Sequence, residues 1–273
     1  MSAVPAQGPS AAAEPALRCA GVRKVWNEST SRAMVAVETI DLDVADGEFV
    51  VLLGPSGCGK SSLLFMAAGL ETPSDGTIHS HGTPVTVPGP DRSLIFQESS
   101  LYPWLTVWQN VTFGLRLQGM DVKRRRAVAT ELLREVGLAD ALDKRPAELS
   151  GGMRQRVAIA RALSMQPRLL LMDEPFAALD VQTRSKLQDF LVQIWSGNKT
   201  SVLFVTHSID EAVALADRIV VFTSRPGRIK TVVPVDLPRP RDVRDPAFHA
   251  IHDQLVDLMR DEVDRAFAQQ EML

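Results

Sequence analysis

Cysteine is scarce in this sequence: only Cys19 and Cys58 occur among 273 residues. Cys58 lies in a glycine-rich loop where a cross-link would block its use, so no disulfide framework is expected and a reducing compartment fits. Long apolar runs are missing too. Phe49 to Leu53 and Leu169 to Met172 are among the longest, far short of the roughly 20 residues that span a bilayer. Any membrane link is therefore expected to run through another protein. Positive charge is not in excess, and a net charge of −3 gives no electrostatic basis for gripping a phosphate backbone, which argues against nucleic acid as a partner. Residues 1–16 lack both a basic start and a continuous apolar stretch. They read as a disordered lead and not as a signal peptide.

What is present suits a globular protein with a substantial core, since 45% of residues are hydrophobic and the 23% that are charged mix both signs. Glu48 to Leu53 reads as an apolar strand introduced by Asp46-Gly47, and Lys60 to Leu70 as a helix. Further strands are expected at Thr77 to His79, Ser93 to Phe96, Arg168 to Met172, Ser201 to Thr206 and Ile219 to Phe222. Helices are expected over Lys123 to Val136, with Val128, Leu132 and Val136 on one face, and over Gly152 to Met165, before Pro167. Another follows around Leu187, Leu191 and Ile194, then a shorter one over Glu211 to Ala216. Strands that alternate with helices imply an α/β protein with a mainly parallel sheet covered on both faces. The helix-rich stretch near 98–160 interrupts that alternation and reads as an insertion. Phe248, Ile251, Leu255 and Leu258 mark a C-terminal helix.

Gly54-Pro55-Ser56-Gly57-Cys58-Gly59-Lys60-Ser61 matches the phosphate-binding loop in spacing and in context, between a strand and a helix. Backbone amides and the helix N-terminus attract an anion there. Lys60 would neutralise the β- and γ-phosphates and Ser61 would ligate Mg²⁺, so ATP or GTP is the expected ligand. Leu169 to Met172 then runs into Asp173 and Glu174, two carboxylates at a strand end where ligands of α/β sheets bind. Asp173 is placed to hold Mg²⁺ and Glu174 to polarise the attacking water. Ser150, Gly151 and Gly152 open a helix and read either as a simple cap or as a second anion site.

Leu149 to Arg156 resembles the signature motif of ATP-binding-cassette (ABC) ATPases. The resemblance extends from about Leu17 to Leu258 with its elements in order. It implies a P-loop ATPase with a RecA-like core (17–97 and 161–235), an antiparallel β subdomain, an inserted helical signature subdomain (98–160) and a C-terminal helical tail (236–273). It also implies a homodimer in which Ser150, Gly151 and Gly152 of one subunit close over nucleotide held by the other. Ser62 stands at the end of the loop in place of the usual threonine. Gln97 resembles the glutamine that senses Mg²⁺ and the attacking water, Ala178-Leu179-Asp180 the loop that crosses the dimer, and His207 the histidine on the γ-phosphate. Trp26 is the candidate for stacking on adenine.

Gly89 to Arg92, Phe96 to Glu98, Leu101 to Thr106, Thr206 to Ala212 and Arg225 to Arg228 together resemble the nitrate/sulfonate/taurine branch of bacterial importers. That branch implies a peripheral subunit at the cytoplasmic face of the plasma membrane, working with permease subunits and an extracytoplasmic solute-binding protein. Ala177 and Ser208 depart from the usual glycine and aspartate. Tyr102 and Trp104 begin the insertion on an unusually aromatic connection and are the candidates for contact with the permease. An exporter cassette is the closest rival reading. A DNA or ribosome ATPase would need a coiled-coil insertion or a second cassette, and a small-molecule kinase would leave Ser150 to Gly152 and His207 without roles.

Overall fold

The computed structural model describes residues 14–177, 179–198 and 200–271. Most of the expected disordered lead, and Ala178, lie outside the described residues. Strands β1 (Leu17–Trp26), β2 (Met34–Val44), β4 (Asp75–Ser80) and β5 (Thr83–Pro84) form an antiparallel sheet ordered β2-β1-β4-β5. The second sheet holds β3 (Phe49–Leu53), β6 (Arg92–Ile95), β7 (Leu169–Asp173), β8 (Ser201–Thr206), β9 (Arg218–Phe222) and β10 (Ile229–Pro234). Its order is β10-β9-β3-β8-β7-β6, parallel except where β10 meets β9.

The central strands are buried at every position, and apolar except at Asp173, Ser201 and Thr206 near their ends, because both faces are covered. Phe49, Val51 and Leu53 of β3 join one core cluster with Leu170, Met172, Val202 and Phe204. Val50 and Leu52 face the opposite cluster with Leu169, Leu171, Leu203 and Val205. The first cluster is closed by α5 (Gly151–Ser164), α6 (Val181–Asn198), α7 (Ile209–Leu215) and α8 (Pro246–Glu271), and the second by α1 (Lys60–Ala68) and the antiparallel sheet. Helix α1 stops at Ala68, two residues earlier than the sequence suggests. Gly69 adopts a left-handed φ of 77° there, and the Gly69 and Leu70 amides donate to the Met66 and Phe65 carbonyls.

Between β6 and β7 lie α2 (Val107–Val111), α3 (Phe113–Leu117) and α4 (Val122–Glu135), followed by two short 3₁₀ turns and α5. They have an apolar core of their own, in which Val107, Trp108, Ala129, Leu133, Val157 and Ala160 meet. The fully buried positions of α4 are Arg125, Ala129 and Leu133, continued by Val136; of the expected row, Val136 is buried while Val128 and Leu132 are half-buried. Val128 and Leu132 sit on the flank of the helix, where they line a cleft with Leu163 and Ile194. Helix α5 belongs to both cores, since Val157 and Ala160 pack in the insertion whereas Ile159, Ala162 and Leu163 pack on the sheet. The C-terminal helix packs back on the main core through Phe248, Leu255 and Met259. Both cysteines are free and buried, and burial pushes the Cys19 thiol up to about 12.

Candidate functional site

Leu53 pairs with Thr206, Asp173 with Val205, and Ile95 with Met172, so four neighbouring parallel strands end at one level. The glycine-rich loop, Asp173-Glu174, His207 and Gln97 follow those four ends directly. Ligands of open α/β sheets bind at such an edge.

The loop's shape depends on residues without side chains. A Cβ on Gly59, whose φ is 107°, would lie 2.5 Å from the Ala36 carbonyl oxygen, and one on Gly54 would lie 2.9 Å from the Phe222 Cβ. Lys60 is 4% exposed, and its Nζ donates to the Gly54 and Pro55 carbonyls at 2.8 and 2.9 Å and lies 3.5 Å from the Cys58 sulfur. Its charge is thus held inside the loop's own curve. Trp26, Ser56, Gly57, Gly59, Lys60, Ser61, Ser62, Gln97 and Glu174 line one cleft of about 350 Å³ with Met34, Ala36 and Arg225. The Lys24 ammonium sits 4.3 Å from the Trp26 ring centroid and is itself fixed by Glu71 and the Thr72 carbonyl.

Ser61 Oγ donates to Asp173 Oδ1 at 2.8 Å. Burial pushes the Asp173 carboxyl above its ordinary value, against the hydrogen bond from Ser61. A buried carboxylate beside a hydroxyl, with the Gln97 amide in the adjoining cleft, is an oxygen-donor set of the kind hard divalent cations take. Glu174 holds a left-handed backbone with φ of 43°, and its N–H donates to the Val205 carbonyl at 3.0 Å. Such a conformation costs a non-glycine residue on the order of 1 kcal/mol. It turns the side chain toward His207, whose Nδ1 lies 3.0 Å from Glu174 Oε2.

Three groups of expected residues stand apart from this cleft. Ser150 caps α5, accepting from the Met153 N–H at 3.3 Å, while Gly151 is exposed and Gly152 approaches Leu179. Asp180 caps α6 through the Thr183 N–H, and that bond holds its carboxyl below the ordinary value. Neither Ser150, Gly151, Gly152 nor Asp180 lines the cleft of its own chain. Tyr102 packs between Phe113 (4.6 Å) and Trp104 (5.7 Å), and Trp104 is 65% exposed.

Several residues that matter here were given no role from sequence, although Gln155 and Arg225 lie within quoted motif stretches. Gln155, buried on α5, donates to the Phe96 carbonyl at 3.3 Å, immediately before Gln97. Arg161 donates to the carbonyls of Ser99 and Ser100. Asn110 accepts from the Tyr102 N–H and donates to the carbonyls of Tyr102, Leu105 and Thr106, which fixes the aromatic connection. Arg225 donates twice to the Gly57 carbonyl, at 3.1 and 3.2 Å. All four bond to backbone carbonyls, which leaves no spacing pattern in a sequence.

Fold, loop and strand-end carboxylates together define a phosphate-loop nucleoside triphosphatase. The family model described as ABC transporter matches residues 37–177. A nitrate import ATP-binding protein of Synechocystis is 46% identical over 237 residues, covering 84% of this chain and 89% of the relative. A bicarbonate transport ATP-binding protein of Synechococcus elongatus is 46% identical over 242 residues, covering 86% of this chain and 36% of that longer relative. Among solved structures, the dimeric post-hydrolysis state of an ATP-binding cassette bound to ADP and Pi aligns with a TM-score of 0.75. It is 29% identical, over 81% of this chain and 100% of that one. The chain belongs to the ABC transporter family, as an ATP-binding and ATP-hydrolysing subunit.

Proposed function

We propose that the chain is the motor of an importer for a small oxyanion of the nitrate, bicarbonate or sulfonate kind. In this reading it works as a homodimer on the cytoplasmic face of a bacterial plasma membrane, bound to permease subunits that receive solute from an extracytoplasmic binding protein. The observation that carries it is the pairing of an intact hydrolytic edge with relatives that import nitrate and transport bicarbonate. No helix among the described residues is long and apolar enough to cross a membrane, which fits a subunit that acts through a partner.

In the proposed roles, Gly54 to Ser62 wrap the phosphates, Lys60 leaves its carbonyl partners for the β- and γ-phosphates, and Trp26 stacks on adenine. Ser61, Gln97 and Asp173 would hold Mg²⁺, which supplies charge neutralisation on the phosphate oxygens when bound. Glu174 accepts a proton from the water that attacks the γ-phosphorus, the bond to the β-phosphate oxygen breaks, and ADP leaves. His207 orients Glu174 and contacts the γ-phosphate. Ser150, Gly151 and Gly152 complete the site of the other subunit, with Asp180 at the crossing. The core would comprise 17–97 and 161–235, the signature subdomain 98–160 and the tail 236–273.

The test is ATP hydrolysis by the chain assembled with its permease and binding protein in vesicles. Nitrate, bicarbonate, sulfate and an aliphatic sulfonate would be supplied one at a time. One of them should raise the rate several-fold and accumulate inside. Stimulation by none, or stimulated export, would remove the importer reading.

A further inference from the structure

The segment Thr223 to Arg228 links β9 to β10 and touches two parts of the molecule that are far apart in sequence. It is closed on itself: the Thr223 N–H donates to the Arg228 carbonyl, and the Thr223 hydroxyl bonds the Pro226 carbonyl and accepts from the Arg228 N–H. On one side it seats against the phosphate loop. A Cβ on Gly227 would lie 2.1 Å from the Cys58 carbonyl oxygen, and the Gly227 N–H and C=O bond Ala36 and Glu38 of β2. Arg225 places two nitrogens on the Gly57 carbonyl and a third 2.9 Å from the Met34 sulfur.

On the other side the segment is held by α8. Glu262 is 1% exposed, and its Oε2 accepts from the Ser224 N–H at 2.8 Å and the Ser224 hydroxyl at 3.2 Å. Its Oε1 pairs with Lys230 at 2.9 Å and lies 3.4 Å from Arg265. Burial opposes its ionisation, and the Ser224 N–H and Lys230 outweigh that and hold it below the ordinary carboxylate value. The neighbouring Leu255, Met259 and Val263 pack on the apolar core and already anchor the helix. A buried carboxylate is expensive unless fully paired. Its distinctive effect is to grip one backbone N–H of the segment that carries Arg225.

We propose that Glu262 and Arg225 are positioning residues for nucleotide binding, and that through them the C-terminal helix sets the shape of the phosphate loop. A trans peptide directs its C=O and its N–H in opposite senses. With the Gly57 carbonyl turned outward to Arg225, the N–H of Cys58 is turned inward, where an anion would lie. Met259 and Val263 of the same helix line a second cleft with Gly54, Pro55, Ser56 and His207, so α8 also faces the start of the loop. The inference rests on the nucleotide-site reading and adds to it a control point on a helix outside the cleft.

The test is equilibrium titration with ATP of the wild-type chain, Arg225→Ala, Glu262→Gln and the double variant, with thermal melting of each in parallel. Loss of charge-assisted contacts should weaken ATP binding roughly five- to tenfold in each single variant. The double variant should bind like Arg225→Ala alone, because Glu262 acts through Arg225. Unchanged affinity in Glu262→Gln, or a double variant whose loss is the product of the two single losses, would overturn the proposal. If Glu262→Gln melts early, Glu262→Asp replaces it, with charge kept and reach shortened, and the same non-additive pattern is expected. Lys60→Ala separates this inference from the reading beneath it. If that variant binds ATP normally, the loop reading fails. If it binds weakly while Arg225→Ala is normal, only the positioning role fails.

Discussion

Glu174 is held by its backbone, through the bond from its N–H to Val205, and by His207 on its carboxylate. Glu174→Gln keeps the shape and both hydrogen-bonding neighbours while removing the proton acceptor. Turnover should fall about 10²- to 10⁴-fold with nucleotide binding retained, and an ATP-bound dimer should accumulate in size-exclusion chromatography. Steady-state hydrolysis near the wild-type rate would sink the assignment. Glu211 offers a different measurement. Burial pushes its carboxyl up, although Thr206 donates to it at 2.7 Å and Arg184 lies 3.6 Å away. With the folded value above the unfolded one, its contribution favours the fold below about pH 4.3 and is lost as pH rises through the folded value. Glu211→Gln should therefore lose less melting temperature than wild type as pH rises above about 4.3, by roughly 2–4 °C for each kcal/mol relieved. An equal or steeper decline in the variant would contradict the sign. At this scale the loop, Asp173 and Glu174 were legible as candidates from spacing and context, whereas His207 was a candidate only through the family resemblance, and it lies against Glu174. The bonds made by Gln155, Arg225 and Glu262 were not legible, although the first two lie in quoted motifs, since each reaches a backbone group that any residue supplies.

Among the elements, strand positions were easier to read than helix faces. A strand buried on both sides carries an unbroken apolar run, as in β3, Leu169 to Met172 of β7 and Val202 to Val205 of β8, so no phase need be chosen. A helix between two cores presents apolar residues on more than one side, and the α4 face was accordingly misread by one position. The connection from Leu101 to Leu105 shows a related ambiguity. Tyr102 is packed while Trp104 is exposed, and Asn110 fixes the backbone between them. Tyr102→Ala with Trp104→Ala should leave the isolated subunit folded and able to bind ATP, yet weaken permease assembly by roughly 2 kcal/mol or more. Co-purification with the permease and solute-stimulated hydrolysis would both be measured. Normal assembly and transport would remove this segment from coupling, and loss of folding would assign it to internal packing.

For the molecule as a whole, Ser150 to Gly152 do not line the cleft of their own chain, as the proposed two-subunit site requires. Ser150→Arg should abolish hydrolysis while a single subunit still binds ATP, and Lys60→Ala should lose binding itself. Mixed, the two defective chains should regain some nucleotide occlusion, because one composite site then unites two intact halves. No recovery in mixed dimers shown to form would count against a shared site. Helix α5 gives this arrangement a mechanical consequence. Its far end is rooted in the sheet core through Ile159 and Leu163, its exposed end carries Ser150 to Gly152, and Gln155 and Arg161 bind it to the chain on either side of Gln97 and just before Tyr102. The roughly ten residues of helix between that root and the tip make a stiff arm of about 15 Å, so a tilt of about 10° at the root would sweep the tip by roughly 3 Å. The points of attachment divide that sweep in fixed proportion, as teeth on one shaft do. Were the helix to tilt as one body on closure at the phosphates, the rim would move farther than the root, in a ratio set by those attachments.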